Sequence, residues 1–189
     1  MDMNVNMLET KLIENCAPTL AGMKSASLFN YYYQNKQVVL EELKITNESL
    51  NERGVYMEAL LWRENSVLIY TYRRKHLKEE LNQPGVMDLL EKYGYDDYDV
   101  NNCINHLKKR LYNYKCFPHE IGIFLGYPLD DVIGFIENEG KNCKTCGLWK
   151  VYCNERDKEK LFEKFKRCTQ VYIQVFREGR KLSQMTVFN

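Results

Sequence analysis

The stretch that decides the fold is Val55-Tyr56-Met57-Glu58-Ala59-Leu60-Leu61-Trp62-Arg63, followed after Glu64-Asn65 by Ser66-Val67-Leu68-Ile69-Tyr70-Thr71-Tyr72-Arg73. Both runs are rich in β-branched and aromatic residues, and the short polar junction between them is the mark of an antiparallel hairpin. Upstream, the aromatic run 27–33 reads as a short strand. Residues 35–51 place Val38, Val39, Leu43, Ile45 and Leu50 at roughly helical spacing, closed by Gly54. A short helix is expected at 8–15, with Leu8, Leu12 and Ile13 on one face. Helices dominate 74–138, then a last strand is expected at 148–153 and a long helix at 157–179. Strands grouped early and helices later give an α+β fold, a small antiparallel sheet flanked by helices, and not an alternating parallel sheet.

Composition bounds the function. The chain has 189 residues, with 27 Lys+Arg against 26 Asp+Glu and a formal charge of +1. That balance excludes a globally basic nucleic-acid binder. No Gly/Ser- or Pro-rich linker and no solenoid repeat divides the chain, so residues 1–189 read as a single domain. No apolar run approaches the length of a membrane span, and residues 1–6 lack the cationic and apolar regions of a secretory signal. The expected location is therefore the cytoplasm, away from the membrane, where the seven scattered cysteines read as free thiols. Basic residues concentrate in 141–181, where 12 cations face 5 anions. This segment reads as a solvated face or as a surface for an acidic protein partner.

The most distinctive segment is 117–136, Phe-Pro-His-Glu-Ile-Gly-Ile-Phe-Leu-Gly-Tyr-Pro-Leu-Asp-Asp-Val-Ile-Gly-Phe-Ile. Pro118 suits a first helical turn, Gly126 a left-handed helix end, and Pro128 the start of a second helix with Asp130 and Asp131 at its positive end. The result is a tight helix-corner-helix. It has the outline of a helix-turn-helix, but its second helix offers Asp130, Asp131, Glu137 and Glu139 where phosphate contacts need cations. A packing corner is the better reading and nucleic-acid binding the third-ranked one.

This segment, with Gly140-Lys141-Asn142, Gly147-Leu148-Trp149-Lys150-Val151-Tyr152 and the early Cys16-Ala17-Pro18-Thr19-Leu20-Ala21-Gly22-Met23-Lys24, resembles a bacterial family of uncharacterised proteins, domain of unknown function 3793. Its members are of similar length and occur in anaerobic Gram-positive bacteria. The resemblance spans almost the whole chain and implies no activity, so no site residue carries over from it.

The residues themselves offer three chemistries. Cys16-Ala17-Pro18 reads as a helix start, where the dipole lowers a thiol pKa. Cys16 is then a candidate nucleophile of a cysteine hydrolase or acyl transferase, with His119 as base and Glu120 or Asp131 to orient it. Cys143-Lys144-Thr145-Cys146 can supply two thiolates to a metal, with Cys153 and Cys168 as further ligands if the chain turns back. In this second reading the protein is a non-catalytic metal-binding or protein-interaction module. The many tyrosines, among them Tyr31-Tyr32-Tyr33, read first as strand and core residues, with a stacking surface as the alternative. No phosphate-cradling Gly-rich loop is present, and His76 and His106 read as solvent-facing. An unknown small molecule or acidic protein is the expected partner; the cofactor is left open.

Overall fold

The computed structural model describes residues 7–113 and 117–188. The decisive stretch folds as read. β2 (Val55–Trp62) and β3 (Ser66–Arg73) pair antiparallel, and β1 (Ala26–Tyr32) joins the other edge of β3, giving the order β1-β3-β2. The ladder register of β2 shifts between Ala59 and Leu61. The extra residue, Leu60, changes the phase of the alternation. As a result Leu60 and Leu61 both face one side of the sheet, while Trp62 returns to the other side with Val55 and Met57.

Every residue of the central strand β3 is buried. Val67 and Ile69 face one apolar layer, with Leu68, Tyr70 and Tyr72 facing the other. The first layer holds α1 (Met7–Leu20), α2 (Lys36–Asn51), the long α8 (Glu155–Arg177) and α9 (Leu182–Met185). The second holds α3 (Arg74–Leu81), α4 (Val86–Glu91), α5 (Val100–Asn113), α6 (Ile121–Phe124) and α7 (Leu129–Glu137). The sheet is thus a partition between two cores, and the fold is α+β.

Three expectations change. The helix at 8–15 does not stop for a new start at Cys16, because α1 runs on through Pro18 to Leu20. Leu8, Leu12, Ile13, Cys16 and Leu20 make one continuous buried stripe, and that burial outweighs the single backbone bond Pro18 cannot form. Gly22 ends α1 at φ +72°, with Gly22 N–H donating to Thr19 O at 3.2 Å and Met23 N–H to Pro18 O at 2.8 Å, a Schellman closure. The last strand, expected at 148–153, is the two-residue β5 (Lys150–Val151), which pairs with β4 (Thr145–Cys146) in a separate hairpin. The first helix of the corner is a single turn, α6.

Arg73, at the end of β3, is fully buried. Its guanidinium donates to the carbonyls of Thr19 and Leu20 at 2.6 Å each, and to Val187 O at 3.0 Å. It thereby satisfies the free carbonyls of α1 and binds the C-terminal segment to them. No helix among the described residues is long and apolar enough to cross a membrane.

Candidate functional site

Cys16 lies in the body of α1, wholly buried beside β1 and β3, and burial pushes its thiol up to about 12. The thiolate-promoting helix start does not exist there. His119 lies just before α6, on the other side of the sheet, its ring 4.9 Å from that of Phe135. The partition therefore keeps the expected nucleophile and base apart. Glu120 does not orient His119. It is buried against Arg110, which donates Nε–H to Oε1, with the Tyr95 hydroxyl 3.4 Å from the same oxygen.

Cys143 precedes β4 and Cys146 ends it, the latter exposed. The Cys153 thiol lies beside Asp131, at 3.5 Å. Among the described residues no three His, Cys, Asp or Glu side chains converge as a metal would need. The cations of the C-terminal third are dispersed along α8. On one stripe Arg156, Lys160, Lys164 and Arg167 are interleaved with Glu159 and Glu163. Further along, a groove of about 660 Å³ between α1, α8 and α9 carries Arg177, Arg180 and Lys181 on one rim and Glu9 and Glu14 on the other.

Asp131 has a structural role. It is buried and accepts four hydrogen bonds, from the Trp149 indole N–H at 2.9 Å, Tyr152 N–H at 2.7 Å, Cys153 N–H at 3.1 Å and the Cys153 thiol at 3.5 Å. The β4–β5 hairpin is thus pinned onto α7. Gly134 permits the approach, since a Cβ there would lie 2.5 Å from the Tyr152 ring. From below, the Tyr70 hydroxyl donates to Phe124 O at 2.5 Å, anchoring the corner to the sheet.

Two clefts share Trp149. The first is an apolar slot of about 380 Å³ between the corner and the hairpin. Phe117, Tyr127, Phe135 and Trp149 line it, with the His119 imidazole at its edge and Ile121, Leu125 and Val132 beneath. Tyr127 and Trp149 stack at 4.6 Å and 24°, and Phe162 meets Trp149 edge-on at 4.6 Å. The second is a polar cleft of about 280 Å³ that holds Lys24, Ser25, His76, Glu79, Glu80 and Gly126. Ser25 donates to Glu80 Oε1 at 2.7 Å and Gln83 to Oε2 at 2.5 Å. The Lys24 ammonium sits 5.2 Å from the centre of the Tyr127 ring, and burial lowers its pKa to about 8.

A family profile described as "Protein of unknown function (DUF3793)" matches residues 12–186. The chain belongs to this family. No curated protein and no solved structure matches it.

Three of the four stretches that carried the DUF3793 resemblance meet at these clefts. The first ends on Lys24, the second supplies His119, Gly126 and Tyr127, and the third supplies Trp149. Lys24 and His76 were not read as site residues from the sequence. Lys24 follows the helix-ending Gly22, which was a usable signal for a fixed position, but that it has no ion-pair partner among the described residues is a tertiary fact. His76 sits on α3 among cations, and only the fold turns it toward the cleft.

Proposed function

We propose that this DUF3793 protein is a non-catalytic binding protein for a small, flat-ringed, uncharged molecule held in the slot beside Trp149. The observation that carries this reading is the slot's wall, four aromatic side chains and an imidazole around about 380 Å³, a size and lining suited to a small ligand. The charged groups on the wall are already engaged. Asp131 is spent on the hairpin, and the Lys150 ammonium donates to Gly140 O at 2.5 Å. His119, whose ring nitrogens have no hydrogen-bond partner among the described residues, is the polar contact that orients a ring substituent. Binding accounts for this arrangement better than the expected thiol catalysis, since Cys16 is buried within α1 on the opposite side of the sheet from His119.

The test is quenching of Trp149 emission in a Trp62→Phe background, titrated with 2-naphthol. Saturable quenching at one site is expected, weakened about 5-fold by Phe135→Ala, in line with the loss of roughly 1 kcal/mol of ring contact. Linear, non-saturable quenching unaffected by Phe135→Ala would overturn the reading.

A further inference from the structure

The polar cleft on the other side of Trp149 is built differently, and a different observation bears on it. Its two walls carry opposite charge. Lys24, from the connection between α1 and β1, supplies a cation, while Glu79 and Glu80 of α3 supply carboxylates. Yet the two do not pair. Among the described residues no carboxylate lies within 4 Å of the Lys24 ammonium and no hydrogen bond is made by it; its contact is the face of Tyr127. An ammonium partly withdrawn from water without an anion is costly, and a protein that keeps one has a use for the charge. Glu80, by contrast, is fixed in place by the neutral donors Ser25 and Gln83, which leave its charge unneutralised. Gly126 makes room for that arrangement, since a Cβ there would lie 2.8 Å from Ser25 Oγ and 3.3 Å from Glu80 Oε1.

We propose that this cleft binds a free α-amino acid, its carboxylate on Lys24 and its ammonium on the Glu79–Glu80 wall. A ligand with both charges neutralises both walls at once, whereas a simple anion leaves the carboxylates facing it and a simple amine leaves Lys24 bare. At about 280 Å³ the cleft sits at the small end of ligand sites, which fits a molecule of amino-acid size. The side chain of the ligand would lie against Trp149, Leu161 and Phe165, the apolar part of the lining. The lowered pKa of Lys24 supports the assignment, because an ammonium that has lost hydration and gained no partner gains most from an incoming carboxylate.

The charge-bearing groups facing Lys24 are His76, Glu79 and Glu80 from α3, the Tyr127 phenol from the corner, and the Cys16 thiol from α1. Burial holds the last two up to about 12, so neither gains charge near neutrality.

The experiment is calorimetric titration of the full chain at neutral pH with each standard amino acid, and with acetate, ethylamine and inorganic phosphate. At least one amino acid should bind with Kd below about 1 mM, at least ~10-fold tighter than acetate or ethylamine. Lys24→Met should weaken it at least ~10-fold and flatten the fall in affinity expected of the parent chain as pH rises from 7 to 9. Glu79→Gln, on an exposed position that does not threaten folding, should also weaken it and carries the test if Lys24→Met fails to fold. The proposal is overturned if no amino acid outbinds acetate, if phosphate outbinds every amino acid, or if affinity is unchanged in the folded variants. Quenching by 2-naphthol in the slot should survive Glu79→Gln, which separates this site from the first.

Discussion

The indole N–H of Trp149 donates to Asp131 Oδ2 at 2.9 Å, joining two residues 18 positions apart on different elements. The other oxygen of that carboxylate accepts from the backbone of Tyr152 and Cys153. One buried side chain of α7 therefore fixes both the hairpin and the ring that the two clefts share.

Asp131→Ala should accordingly cost about 2–4 kcal/mol, because it leaves two backbone N–H groups and an indole N–H without their acceptor. Urea unfolding measures the loss. Quenching of Trp149 by 2-naphthol should weaken in the same variant. Unchanged stability would show that the hairpin is held by its apolar contacts alone.

Gly134→Leu should cost on the order of 1–3 kcal/mol by forcing Tyr152 away from α7. The same variant should expose Trp149 and shift its emission to longer wavelength. A wild-type melting temperature would show that the hairpin yields freely.

Cys16 should resist iodoacetamide in the folded chain, with protection of at least ~100-fold relative to urea-unfolded protein, whereas Cys146 should react readily. Peptide mapping by mass spectrometry separates the two. The shift of Cys16 also sets a direction for pH. Its folded pKa, about 12, lies above the ordinary value of 9, so its contribution to stability is complete below about pH 9 and is lost as pH rises toward 12. Cys16→Ala should flatten that part of the alkaline stability profile.

Lys24 has the opposite sign. Its folded pKa, about 8, lies below the ordinary 10.5, so the folded chain binds fewer protons than the unfolded chain between those values. Stability then rises with pH across this window as the cost of the buried charge is removed. Lys24→Met should stabilise the protein at pH 7 by about 1–2 kcal/mol, allowing for the water that reaches the cleft. The gain should vanish above about pH 10.5, as followed by urea unfolding. A destabilised variant at pH 7 would show that the ammonium is already compensated.

Much of this fold was legible because its signals are local. The β-branched and aromatic runs within 55–73 and the polar pair Glu64-Asn65 determine a hairpin without help from the rest of the chain. The corner at 117–136 was legible for the same reason, with Pro128 and Gly126 marking its turn. Pro18 misled, because a proline three residues from a helix start and one three residues from a helix end look alike until the buried stripe from Leu8 to Leu20 is seen as one surface. Cys16 and His119 were joined by chemical type alone, and nothing in their spacing tells which side of a sheet each helix covers. Trp149 was quoted for the family resemblance, but its place between two clefts depends on Asp131, 18 residues upstream. Lys24 was invisible as a site because its distinguishing property, a cleft position with no anion beside it among the described residues, arises only in the fold.

Arg73 has a consequence for the order in which the molecule is made. Its bond to Val187 spans 114 residues, and Val187 in turn donates its N–H to Leu20 O at 3.1 Å. The hairpin is complete once residue 73 has left the ribosome, and the two edges of β3 can pair at once. The seam between α1, β3 and the C-terminal segment cannot close until residue 187 is synthesised, and until then a guanidinium destined for full burial must stay hydrated. Translation therefore delivers a chain whose sheet is ready early and whose first apolar layer remains open to chaperones and proteases until residue 187 has emerged.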